Sequence, residues 1–184
     1  MTEAPIERRW TRDEFVRAWE AGEFDHRVEL IEGEVWPVGI GDWHGETLFR
    51  VVRTLPGEGV VVTGASLPTG DSLPDPDCWI RRQGSEAIGK VGRKISMWHP
   101  ADVLLLVEVS HETVREDLGI KARLYSRDGY EVYWVVTEGV IYEHTDPTPT
   151  GYRTVREYHP GQLIPVHYAD TAIAVDELLY PDRG

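Results

Sequence analysis

The chain has 184 residues, 41% hydrophobic and 28% charged, which suits one folded core of roughly 100–200 residues and excludes a disordered chain. No apolar run approaches the ~20 residues of a membrane-crossing helix, the opening Met1-Thr2-Glu3-Ala4-Pro5 lacks a basic-then-apolar secretion signal, and a single cysteine, Cys78, excludes an internal disulfide or a CxxC site. A net charge of −13 runs against the basic balance usual in proteins that grip phosphate backbones. The expectation is a cytoplasmic protein with no membrane association.

In chain order, residues 1–10 read as a mobile tail and 11–184 as one domain, with a core over 11–137 and a β-rich extension over 138–184. Thr11 and Glu14 form a capping box that opens a helix, and Gly22 ends it. Val28 to Ile31 is a strand, Glu32-Gly33 a turn, and Glu34 to Trp36 the return strand. His44 to Leu55 is a short helix stopped by Pro56. Val60 to Thr63 and Pro76 to Ile80 are strands. Gln83 to Pro100 carries three glycines and most of a basic cluster, Arg81, Arg82, Lys90, Arg93 and Lys94, and reads as an exposed loop. Ala101 to Val109 is the clearest strand. Its unbroken apolar run predicts a central strand covered on both faces. A second capping box, Thr113 with Glu116, opens a helix that Gly129 ends, with Val114, Leu118, Ala122 and Tyr125 as its buried stripe. Glu131 to Val136 is a strand. Hairpins follow over Val140 to Tyr142, Tyr152 to Tyr158 and Leu163 to Val166, and a short helix, Val175 to Leu179, closes the chain.

Glu108 stands inside an apolar strand, near the C-terminal end where α/β sheets keep their sites. A buried carboxylate needs a partner, a proton or a metal. Lys121 is one of three lysines among sixteen arginines, and lysine offers a compact ammonium that arginine does not. Asp117, Lys121 and Tyr125 share one stripe at i, i+4, i+8. A surface Asp–Lys pair explains that spacing equally well. Asp75-Pro76-Asp77 could supply oxygen ligands to a cation, yet the same residues make an ordinary turn. Glu29 alone is better explained by solvent, and His44 by a cap or packed ring. Gly84 to Lys90 imitates the front of a P-loop, but Val91 replaces the hydroxyl that would bind magnesium. There is no G-x-S-x-G elbow, and Cys78 has no evident base.

In order along the chain, Glu29, Pro76-Asp77, Glu108-Val109-Ser110 and Lys121 resemble the PD-(D/E)XK nuclease superfamily. Val28 to Val35, Leu73 to Ile80, and Val107 to Thr113 followed by Asp117, Lys121, Tyr125 and Glu131 to Val136 resemble, within it, the bacterial putative restriction endonuclease family, formerly a domain of unknown function. The likeness runs from Thr11 to Val136 and returns over Val175 to Leu179. It implies an α/β fold with a restriction-endonuclease-like core, a mixed central sheet flanked by helices, here with an added C-terminal β-hairpin region. It implies a Mg²⁺-dependent endonuclease acting on DNA, with Mn²⁺ as the alternative ion, working as a homodimer. Asp77 and Glu108 would be the main metal ligands with the carbonyl of Val109. Glu29 would be an auxiliary carboxylate and His44 a supporting residue. The superfamily's lysine usually stands two residues after the glutamate, where this chain has Ser110. Lys121 would be that lysine displaced onto the following helix. The basic residues Arg81, Arg82, Lys90, Arg93 and Lys94 would contact phosphate. The acidic balance keeps a second reading open, a catalytically silent descendant of the fold that binds a metal, nucleotide or protein.

Overall fold

In the computed structural model, which describes residues 9–39 and 41–179, the first helix is α1, Arg12–Ala21. Thr11 accepts from the Glu14 backbone and the Glu14 carboxylate returns to Thr11, so the expected capping box is present. Gly22 closes the helix in the left-handed region, with φ 76°, a conformation open to glycine without steric cost. Most of the expected N-terminal tail, residues 1–8, lies outside the described residues. Trp10 is not part of a loose tail: its N–H donates to the Gly33 carbonyl and its ring packs near Phe24.

The hairpin β1 (Val28–Ile31) and β2 (Glu34–Pro37) follows. Helix α2 (Asp42–Thr54) begins at Asp42 rather than His44 and ends before Leu55-Pro56. Strands β3 (Val60–Thr63) and β4 (Cys78–Arg82) come next, then β5 (Gly89–Val91), β6 (Ile95–Met97) and β7 (Val103–Val109). A helical stretch follows, made of α3 (Val114–Glu116), a π-helical turn (Asp117–Lys121) and α4 (Ala122–Arg127). The chain closes with β8 (Tyr133–Val136), β9 (Ile141–Thr148), β10 (Gly151–Tyr158), β11 (Leu163–Val166), β12 (Thr171–Ala174) and α5 (Val175–Leu178).

The central sheet has six strands in the order β10-β9-β8-β7-β4-β3. Only β7 and β8 pair parallel, joined through the helical stretch 114–127. The sheet is therefore mixed, as expected for a restriction-endonuclease-like core. The β9–β10 hairpin is not an appendage, because β9 pairs with β8 and continues the same sheet. Strand β7 is covered on both faces. Leu105, Val107 and Val109 point into a core shared with α2, α5 and the β11–β12 hairpin. Val103 and Leu106 point into a second core beneath the helical stretch 114–127. The register against β4 shifts between Val103 and Leu105, so strict alternation runs from Leu105 onward and places Glu108 with Leu106 on the helix-covered side.

Two expectations are corrected. Residues 83–100 are not an open loop. They contain the β5–β6 hairpin, whose Val91 and Ile95 are buried with Phe15 and Val16 of α1 in a third apolar cluster. Gly84, Gly92, Arg93 and Lys94 lie in turns, while Gly89 and Lys90 stand in β5 itself. At Gly92, φ is 59°, and a Cβ there would stand 2.4 Å from Val16 Cγ1 and 2.7 Å from Glu20 Oε1. Gly92→Ala combines a left-handed backbone cost of about 1–2 kcal/mol with that collision. It is expected to lower the urea midpoint while leaving the slope of the transition unchanged.

The second correction concerns the helix after β7. Thr113 and Glu116 form no capping box. Thr113 lacks the extended backbone of an N-cap, and its hydroxyl donates instead to Asp117 Oδ2 at 2.7 Å. The buried stripe is also more polar than expected. Asp117 and Lys121 are buried beside Ala122, Leu124 and Tyr125, whereas Val114 and Leu118 are only half-buried.

Candidate active site

Local geometry explains why a strand carboxylate and a helix lysine meet. Glu108 is the next-to-last residue of β7, and the chain leaves that strand, turns, and returns across the same sheet face as the helical stretch 114–127. In an α-helix, residues four apart drift by roughly 40° per step, so Asp117, Lys121 and Tyr125 would fan out. The π-helical turn over Asp117–Lys121 is wider and offsets part of that drift. All three side chains consequently face Glu108.

The result is one ammonium among three carboxylates. Lys121 Nζ lies 3.0 Å from Glu29 Oε1, 3.1 Å from Glu108 Oε1 and 3.5 Å from Asp117 Oδ1. Tyr125 donates its hydroxyl to Glu108 Oε1 at 3.0 Å. The residues are all buried, at 5% exposure for Glu29, 4% for Glu108, 2% for Asp117 and 7% for Lys121. The surface Asp–Lys pair that the i, i+4 spacing also allowed is thereby excluded. Glu29 is likewise out of solvent, and its Oε2 accepts the Asp75 N–H at 3.0 Å.

Asp77 stands at the entrance to β4, next to the end of β7. Its Oδ2 accepts the Val109 N–H at 2.7 Å, and its Oδ1 lies 2.9 Å from His44 Nε2 at the start of α2. The Asp75-Pro76-Asp77 turn therefore aims its two acids differently. Asp77 joins the end of β7, while Asp75 pairs with Arg27 Nε at 2.5 Å.

Electrostatics follow from the count of charges. Burial pushes the Glu108 carboxyl well above the ordinary range. Lys121 pulls it back, and Asp77, Asp117 and Glu29 push it up again. Burial works against the Lys121 ammonium, but Glu108, Glu29 and Asp117 outweigh it, and its pKa is raised. Burial, with Glu108 beside it, raises Tyr125 as well, so its hydroxyl stays a donor. Lysine remains charged, and negative charge remains in surplus around it. Such a site has room for a further positive charge.

The donor set is made of hard oxygens, the kind that Mg²⁺ and Mn²⁺ prefer. Both protein bonds to the Glu108 side chain end on Oε1, and Asp117 Oδ1 is buried without a hydrogen-bond partner. Among the described residues, no three His, Cys, Asp or Glu side chains are already grouped around one point as metal ligands. Two carboxylates, Asp77 and Glu108, match a cation that keeps much of its water.

The five basic residues expected to act together are dispersed. Arg81 lies over the Trp98 ring at 4.1 Å and Lys94 over Trp19 at 5.6 Å, and both line a cleft beside the carboxylates. Arg93 is tied to Glu20, Arg82 faces Asp102 at 3.8 Å, and Lys90 is exposed on β5. Three participants escaped the sequence reading. Arg27 and the rings of Trp19 and Trp98 have no local spacing that marks them. Tyr125 shares the stripe of Asp117 and Lys121 by spacing, but spacing does not show that its hydroxyl donates to Glu108.

The profile of a family described as Uma2, putative restriction endonuclease, matches residues 12–179. Among solved structures, the fold is similar to the crystal structure of a putative nuclease belonging to DUF820 from Anabaena variabilis ATCC 29413. The TM-score is 0.60 at 16% sequence identity, covering 92% of this chain and 97% of that one. No curated protein matches the sequence.

Proposed function

From the chain's membership of the Uma2 putative restriction endonuclease family, we propose that it is a divalent-metal-dependent endonuclease that hydrolyses phosphodiester bonds of DNA at the Asp77–Glu108–Lys121 site. The observation that carries this reading is the meeting of three distant segments. Asp77 is held against the end of β7 by the Val109 N–H, and Lys121 is held on Glu108 from the following helix. A structural ion pair does not require Asp77 there, nor a third and fourth carboxylate.

Asp77, Glu108 and the main-chain carbonyl of Val109 are the groups that would hold Mg²⁺ or Mn²⁺. A bound ion supplies charge neutralisation at a phosphoryl oxygen and a water acidified toward hydroxide. The remaining roles belong to the chain. His44 orients Asp77 through Nε2. Glu29 and Asp117 keep Lys121 protonated and fix its direction. Lys121 lies within 3.5 Å of all three carboxylates and its pKa is raised, so it acts as a placed positive charge and not as a base. With Asp77 and Glu108 holding the ion, Lys121 would present its positive charge where charge develops on the phosphoryl group. Homodimerisation would bring two such sites to the two strands of a duplex. Among the described residues, no helix is long and apolar enough to cross a membrane.

The test is nicking of supercoiled plasmid with Mg²⁺, with Mn²⁺ and with chelator. Metal-dependent nicking is expected from the wild type. Asp77→Asn, which still accepts the Val109 N–H, should lose it while remaining folded. A folded wild-type protein inactive with both ions would reject the nuclease and leave the binding descendant of the fold.

A further inference from the structure

A cleft of about 630 Å³ opens beside the carboxylate site, lined by Trp19, Arg27, Trp79, Arg81, Lys94 and Trp98 among others. It follows from the strand alternation. Trp79 and Arg81 are two apart in β4, so the strand pleat sends both to one sheet face, roughly 7 Å apart, in the cleft wall. The candidate ligand Asp77 stands one residue before that strand. Asp75 joins the two regions physically, since its N–H is bonded to Glu29 while its carboxylate holds Arg27 on the cleft wall.

The lining is unusual for this chain. In a protein of net charge −13, the cleft collects Arg27, Arg81 and Lys94 against one acid, Asp75. Three of the seven tryptophans stand in the same wall. Trp79 is buried and fixed by its Nε1–H to the Ala65 carbonyl at 2.8 Å. Trp98 stands against it with ring centroids 6.3 Å apart. Trp98 and Trp19 are only half-buried, and each has a cation over its ring. Arg81 is further held by Ser85 Oγ at 3.1 Å, so its guanidinium and the Trp98 indole form a fixed cationic aromatic platform.

Indole faces alternating with cations are the chemistry of single-stranded nucleic-acid grooves. Bases stack on the rings, and the cations follow the phosphates. A base inside a duplex has its faces covered by the neighbouring base pairs, and a cleft of this volume cannot admit a duplex. We propose that this cleft binds an unpaired stretch of DNA, one or two nucleotides stacked on the Arg81–Trp98 and Lys94–Trp19 platforms, and delivers the adjoining phosphodiester to the Asp77–Glu108 site. The inference rests on the nuclease reading for its geometry, but its binding step is measured without any cleavage.

The experiment is fluorescence anisotropy of a labelled oligothymidine, and of a duplex of the same length, in chelator. Wild type is expected to bind the single strand about tenfold or more tightly than the duplex, with quenching of tryptophan emission. Trp98→Ala should weaken single-strand binding by about tenfold or more, Trp98→Phe should restore most of it, and Arg81→Gln should lower both affinity and its salt dependence. Equal affinity for duplex and single strand would overturn the proposal. So would unchanged single-strand affinity in Arg81→Gln and in Trp98→Ala or, where Trp98→Ala loses the wild-type near-ultraviolet dichroism, in Arg81→Gln alone. A ribo-oligonucleotide bound more tightly than its deoxy counterpart would overturn the assignment to DNA. Tryptophan-dependent single-strand binding by a protein that nicks nothing would uphold the cleft and reject the nuclease. Nicking that is indifferent to Trp98 and Arg81 would do the reverse.

Discussion

Glu108→Gln is expected to abolish metal-dependent nicking, by on the order of a thousandfold or more, while leaving the fold as stable as wild type or more so. The two effects have one cause. The glutamate carboxylate is buried and surrounded by Asp77, Asp117 and Glu29, so its charge is unfavourable to the folded chain. Glutamine keeps the shape and still accepts from Lys121 and Tyr125 through one oxygen. It removes a charge that burial and three neighbours oppose. Thermal unfolding without metal, beside the plasmid assay, reads both. A large drop in melting temperature with nicking retained would mean that Glu108 is a structural anchor, and the proposed site would be wrong.

Lys121→Met is the converse case and should be the most damaging change in the site. Methionine approximates the aliphatic stem but removes the ammonium that three carboxylates share. Removing one partner of a buried ion pair costs about 3–5 kcal/mol, which in a domain of this size lowers the melting temperature by roughly 6–20 °C. Added Mg²⁺ or Mn²⁺ should recover part of that loss, because binding to the native state stabilises by mass action and the surplus negative charge then has no internal counter-ion. The recovery should vanish in the double variant that also carries Glu108→Gln. Differential scanning fluorimetry across a metal titration measures all of this. A variant as stable as wild type, or one indifferent to metal, would remove Lys121 from the charge balance of the site.

The two variants together divide structure from chemistry. One removes a charge that the fold does not need, and the other removes the charge that makes the cluster tolerable. Opposite shifts in stability with a shared loss of nicking are difficult to obtain from a site that is merely a buried salt bridge.

Local signals in the sequence carried far at some places and misled at others. The capping box at Thr11 is fully made, because Thr11 has the extended backbone of an N-cap and its hydroxyl faces the Glu14 N–H. The same pattern at Thr113 is not made, because the buried Asp117 carboxylate claims the threonine hydroxyl. Strand β7 was legible from its unbroken apolar run, and with it the anomaly of Glu108. The β5–β6 hairpin was not, since its two buried residues, Val91 and Ile95, are too few to outweigh the glycines and charges around them.

Residue order along the chain was sufficient to mark the mixed α/β core, the family likeness, and Asp77 and Glu108 as a pair worth testing. It could not tell whether Glu29 and Lys121 face water or each other, since an ion pair between residues so far apart in sequence exists only once the sheet and helix have packed. Nor could it show that Arg81 and Lys94 leave the other basic residues to meet Trp19, Trp98 and Arg27 in one cleft. Periodicity reports which side of an element a residue occupies. Packing sets what lies opposite, and for buried charge the partner opposite governs both protonation and chemistry.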